Sequence, residues 1–157
     1  MAIPPRVLYV DDEPDNCEMM RYWLRADCGM DVTTAPDGIV ALDHIDKEFF
    51  DVYLLDYCLP DTTGIELCKK IRAMGSKAPI IIYSALDRKI DRQRALAAGA
   101  DLYLVKPEEL QQVKPQIERL LKENLQTMPL VSSTATPIGS KAKHPQKPVR
   151  RRQSSIM

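Results

Sequence analysis

No two of the four cysteines in this chain form a C-x-x-C pair. Cys17, Cys28, Cys58 and Cys68 lie 11, 30 and 10 residues apart, with only His44 and His144 as possible helpers. That pattern indicates neither a zinc site nor a disulfide framework and reads as the reduced thiols of a cytoplasmic protein. Long apolar runs are missing as well. The N-terminal MAIPPRVLYVDDE is broken by prolines and ends in acids, so it makes neither a signal peptide nor a spanning helix, and no membrane partner is expected. Net charge is zero, but unevenly spread. All 22 acidic residues precede residue 126, together with 16 of the 22 Lys and Arg, so the last 32 residues carry only positive charge. The acidic body argues against a nucleic-acid surface, which leaves the basic tail as the one segment able to neutralise phosphates.

What is present is enough for one domain of ordinary size, since 157 residues at 45% hydrophobic content can bury a core. Strand-like runs rich in Val, Ile, Leu and Tyr fall at 6–10, 31–34, 51–55, 79–83 and 101–105. Helical patterns fill the gaps. The first, 14–27, has Pro14 suited to the first helical position, an apolar stripe of Met19, Met20, Trp23 and Leu24, and Gly29 near its end. Further patterns cover 37–48, 65–74 and 87–98. The last, 108–126, contains Pro115, which cannot donate a backbone hydrogen bond and predicts a kink, or a helix that begins only there. Strict alternation of strand and helix implies an α/β domain with a parallel sheet covered on both faces. From residue 126 to 157 the chain is Ser, Thr, Pro, Lys and Arg with almost nothing that could pack, and reads as a disordered tail or linker.

Right-handed crossovers point every strand the same way, so all their C-terminal ends open on one rim, where ligands of open α/β sheets bind. Asp11, Asp12, Asp56, Ser84 and Lys106 each follow a strand-like run. Taken singly, each has an ordinary explanation: acids at a helix N-terminus, a carboxylate or hydroxyl in a turn, a solvated lysine. Taken together, they place three carboxylates, a hydroxyl and an ammonium on one edge. Clustered carboxylates need a cation, and hard oxygen donors suit Mg²⁺. Phosphoryl transfer asks for positioning and for charge stabilisation of the equatorial oxygens, and Asp56 can serve as the nucleophile.

The stretches VLYVDDEPDN, DVYLLDYCLPDTTG, PIIIYSA and ALAAGADLYLVKP resemble the receiver domain of two-component response regulators over roughly residues 5–125. The resemblance implies a doubly wound (βα)₅ flavodoxin-like three-layer sandwich with sheet order 2-1-3-4-5. It implies Asp56 as phosphoacceptor, Asp12, Asp56 and the Cys58 carbonyl as direct Mg²⁺ ligands, and Asp11 as a ligand through water. Ser84 and Lys106 would bind the phosphoryl oxygens. Ser84 and Tyr103 would form the switch, Ser84 moving toward the phosphate as Tyr103 turns inward. Phosphoryl groups would come from a histidine kinase or a histidine phosphotransfer protein, with slower self-catalysed hydrolysis, so the domain is not a conventional enzyme. The Lys106-Pro107 bond resembles one commonly cis in the family. Glu108 departs from the family pattern, standing where an apolar aromatic is common. Cys58 borders the site, either as a thiol open to oxidation or as an inert one.

No output domain is expected after residue 125, which makes the chain either a stand-alone receiver acting on a protein target or the receiver half of a longer regulator. Two other readings compete. A scaffold module would use the fold without phosphorylation. A phosphohydrolase of the haloacid dehalogenase type would need an Asp-x-Asp loop, whereas Asp56 is followed by Tyr57 and Cys58.

Overall fold

The computed structural model describes residues 2–128. Five strands alternate with five helices: β1 (Arg6–Val10), α1 (Pro14–Cys28), β2 (Asp31–Ala35), α2 (Gly38–Lys47), β3 (Val52–Leu55), α3 (Gly64–Ala73), β4 (Ile80–Ser84), α4 (Lys89–Ala97), β5 (Leu102–Val105) and α5 (Leu110–Thr127). All strand pairs are parallel, in the order β2-β1-β3-β4-β5. The expected fold class and strand order are those observed. The assigned tail at 126–157 lies almost wholly outside the described residues, although α5 itself runs to Thr127.

The central strands read as unbroken apolar runs because both faces of the sheet are covered. Side chains alternate between two cores. Leu8, Val10, Tyr53, Leu55, Ile80, Ile82, Tyr103 and Val105 share one cluster with Ala41 of α2, Leu67, Cys68 and Ile71 of α3, and Ala95 of α4. On the other face Val7, Tyr9, Val52, Leu54, Ile81, Tyr83 and Leu104 meet Met20 and Leu24 of α1 and Val113, Ile117 and Leu120 of α5. Of the stripe predicted for α1, Met20 and Leu24 are fully buried, Trp23 packs partly, and Met19 is exposed.

Helix ends follow local chemistry. Thr63 caps α3 by accepting a hydrogen bond from the Glu66 amide at 3.2 Å, and Gly29 ends α1 at φ 61° with its N–H on the Arg25 carbonyl. Two expectations need correction. Ser84 is the last residue of β4 rather than the residue after it. And α5 neither waits for Pro115 nor breaks there: it starts at Leu110 and runs through the proline. Pro115 and Gln111, whose carbonyl loses its partner, both face solvent, where water replaces the bond. Val113 and Ile117, buried on either side, hold the helix to the sheet.

Candidate functional site

The site follows from strand register. Val10 pairs with Leu55 at the ends of β1 and β3, so the next residues, Asp11 and Asp56, stand side by side at the rim. Their backbones extend the ladder by one step, Asp11 N–H to the Ala35 carbonyl at 3.1 Å and Asp56 N–H to that of Val10 at 2.9 Å. Ser84 pairs with Val105, which puts Lys106 one residue past the end of β5. From there Lys106 reaches across β4 and β3, placing Nζ 2.5 Å from Asp11 Oδ2 and 3.1 Å from Asp56 Oδ2. The Lys106-Pro107 bond is cis, as the resemblance implied.

Asp11 is 1% exposed. Burial alone would raise its pKa, but Lys106, the Tyr9 hydroxyl at 2.5 Å and the Glu13 amide at 2.9 Å together hold its carboxyl below the usual range. Asp56 moves the other way. Burial and the neighbouring Asp11 charge push it up, against Lys106 and the Cys58 amide. One carboxylate is thus secured as an anion while its neighbour is only partly neutralised. Carboxylate oxygens of Asp11, Asp12 and Asp56 lie within 4.8 Å of one another. Three acids therefore cluster at the rim while Lys106 pairs with two of them, Asp11 and Asp56, which leaves an all-oxygen donor set whose charge excess fits a hard divalent cation.

Ser84 is 2% exposed and its hydroxyl accepts the Leu86 amide at 3.3 Å. Tyr103, 4% exposed, donates its hydroxyl to the carbonyl of the same Leu86 at 2.7 Å. The two residues expected to form a switch therefore hold one residue of the β4–α4 connection from both sides. The Arg92 guanidinium lies 5.4 Å from the Tyr103 ring centre, and burial pushes the Tyr103 phenol up to about 12. Cys58 is exposed, with its thiol raised first by partial burial and then by the Asp56 and Asp12 charges.

A family model for the response regulator receiver domain matches residues 7–118. The chain belongs to that family. The receiver is 36% identical over 121 residues, 77% of its length, to the transcriptional regulatory protein TrcR of Mycobacterium tuberculosis, of which the match covers 47%. The chain spans about half the length of the curated relatives it matches. Among solved structures, the Francisella response regulator 1452 receiver domain matches with TM-score 0.71 and 33% identity, over 76% of this chain and 98% of that one. A CheY-like receiver domain protein from Methanospirillum hungatei matches with TM-score 0.74 and 28% identity, over 79% and 98%. Among the described residues no helix of the receiver is long and apolar enough to cross a membrane.

Sequence reasoning assigned no role to two residues that shape the receiver's rim. Tyr9 supports Asp11, and its signal was available: in a strand, residues two apart share a face. Gly64 opens α3 where an added Cβ would stand 2.2 Å from the Asp56 carbonyl oxygen. Nothing in the local pattern TTGIE reveals that approach, because it depends on how the loop closes.

Proposed function

We propose that this receiver takes a phosphoryl group on Asp56 and uses it to switch a protein-binding surface. The reading is carried by one observation, the clustering of the Asp11, Asp12 and Asp56 carboxylates with the Lys106 ammonium paired to Asp11 and Asp56. A carboxylate oxygen of Asp56 would attack phosphorus, the P–N bond of a phosphohistidine would break, and the imidazole would leave with that electron pair. The donor would be a histidine kinase or histidine phosphotransfer protein. Asp12, Asp56 and the Cys58 carbonyl would hold Mg²⁺ directly and Asp11 through water. The bound ion would neutralise the acids and the equatorial phosphoryl oxygens. Lys106, released from part of its present pairing, would bind a phosphoryl oxygen, and Ser84 would donate to another. Water later returns Asp56 to the free acid, so turnover belongs to the protein's own switch and not to an external substrate.

The readout follows from Leu86. Moving the Ser84 hydroxyl toward a phosphoryl group frees the Leu86 amide, while Tyr103 still holds its carbonyl. The loop would then reseat against Tyr103, changing the surface around α4, β5 and α5. The place of action would be the cytoplasm, the source of the phosphodonor. A second reading, the receiver half of a transcriptional regulator, has one observation in its favour, the twofold greater length of the relatives.

Incubation with acetyl phosphate, followed by intact mass measurement, tests the reading. One phosphoryl group is expected on the wild type with Mg²⁺ and none on Asp56→Asn. Equal labelling of the variant would contradict the assignment.

A further inference from the structure

The β3–α3 loop that carries Cys58 is closed on itself as a small hairpin. Cys58 and Thr63 form an antiparallel bridge, the Leu59 amide donates to the Thr62 carbonyl at 3.2 Å, and the Gly64 amide to that of Tyr57 at 2.8 Å. A closed hairpin can still pivot as a unit about its two ends. Tyr57 and Leu59 pack against the core, and the tip is tied further by one side chain. Asp61 accepts the Gly38 amide on Oδ1 at 2.9 Å and the Ile39 amide on Oδ2 at 3.0 Å, bonds that span more than twenty residues.

These amides are the first two of α2, which have no partner within the helix. The local cap Asp37 takes the third, from Val40 at 2.8 Å. Two carboxylates thus divide one helix start, the local one completing the helix and the distant one spending both oxygens on the join. The contact is close: a Cβ on Gly38 would fall 2.6 Å from Thr62 Cγ2 and 3.2 Å from Asp61 Oδ2. α2 in turn begins just after β2, whose last residue, Ala35, accepts the Asp11 amide. The hairpin tip is therefore referenced to the part of the sheet that carries Asp11.

We infer that Asp61 is a positioning residue for Mg²⁺: by fixing the hairpin tip on the start of α2 it holds the Cys58 carbonyl at the spacing from Asp12 and Asp56 that the ion requires. This rests on the metal reading above. The small octahedral ion tolerates little error in ligand position. An outer group that orients a ligand is generally worth a factor of about 10 or more in metal affinity.

Calorimetric titration of Mg²⁺ into the full chain separates this role from a merely structural one, with Asp37→Ala as the matched control. Both Asp61→Ala and Asp37→Ala remove a cap from the same helix, and urea unfolding reports that common loss. Only Asp61→Ala is expected to weaken Mg²⁺, by about 10-fold, while Asp37→Ala binds as the wild type does. Asp61→Asn keeps one acceptor oxygen and should fall between them. Equal loss in both alanine variants, or no loss in Asp61→Ala, would overturn the inference. Failure of the wild type to bind Mg²⁺ would overturn the metal reading and this inference with it.

Discussion

At the edge where the strands begin, Asp31, Asp51 and Asp101 each have donors of their own. Asp31 pairs with Arg25 at 3.2 Å, Asp51 accepts the Arg6 amide at 2.7 Å, and Asp101 takes both the Ile80 amide at 2.8 Å and the Arg72 guanidinium at 2.9 Å. At the edge where they end, Asp11, Asp12 and Asp56 cluster together, with Lys106 paired to Asp11 and Asp56. An acid next to a strand is common to both edges. Only the ratio of carboxylates to cations separates a joint that holds the sheet from a rim with charge left to neutralise.

The largest effect should come from the balanced edge. Arg72 bonds the Gly99, Ser76 and Ala78 carbonyls as well as Asp101, so Arg72→Ala should cost about 2–4 kcal/mol in urea unfolding. Phosphoryl labelling of Asp56 should persist wherever the variant is folded. A labelling defect in folded Arg72→Ala would break the division between the edges.

Gly64→Ala should cost nearly as much, about 2–3 kcal/mol, because its Cβ meets a backbone oxygen that cannot swing away. Here the loss belongs to the acidic edge, since the displaced atom is the Asp56 carbonyl, and labelling should slow along with the loss of stability.

Two matched substitutions should then move stability in opposite directions. Asp101→Asn loses its pairing with Arg72 at a half-exposed site, for about 1 kcal/mol or less. Asp56→Asn without Mg²⁺ should stabilise. The folded Asp56 has a raised pKa, so its ionised form weakens the fold at neutral pH and its protonated form does not. The advantage of Asp56→Asn should therefore shrink as pH falls through that raised pKa and vanish only below the unfolded-state pKa, where Asp56 is protonated in both the folded and the unfolded chain. Urea midpoints across pH measure it, and an advantage that grows on acidification would contradict the sign.

A change of similarly small size should come from Tyr103→Phe, which keeps the ring and loses the Leu86 hydrogen bond, for about 0.5–1.5 kcal/mol. Beryllofluoride-induced amide shifts should still appear near Asp56 and fade along α4 in this variant. Undiminished shifts along α4 would detach Tyr103 from the readout.

Much of this was legible in the sequence because continuous apolar strands and strict alternation leave few folds open. β1 matched at both ends, and Asp11, Asp56 and Lys106 could be placed on one rim before any coordinates were known. Pro115 misled because local rules see its missing N–H but not the solvent on that side or the anchors Val113 and Ile117. Asp61, Gly64 and Arg72 were invisible for a related reason. Each acts on a segment remote in sequence or folded back in space, and nothing in its neighbours records the partner.

Urea unfolding of the wild type and Asp56→Asn, with and without Mg²⁺, tests most directly whether the unbalanced rim is built for a cation. The wild type should gain about 2.7 kcal/mol at a hundredfold excess of Mg²⁺ over its Kd, and Asp56→Asn should gain far less. A wild-type midpoint that Mg²⁺ does not move, or one that moves equally in both proteins, would contradict the account.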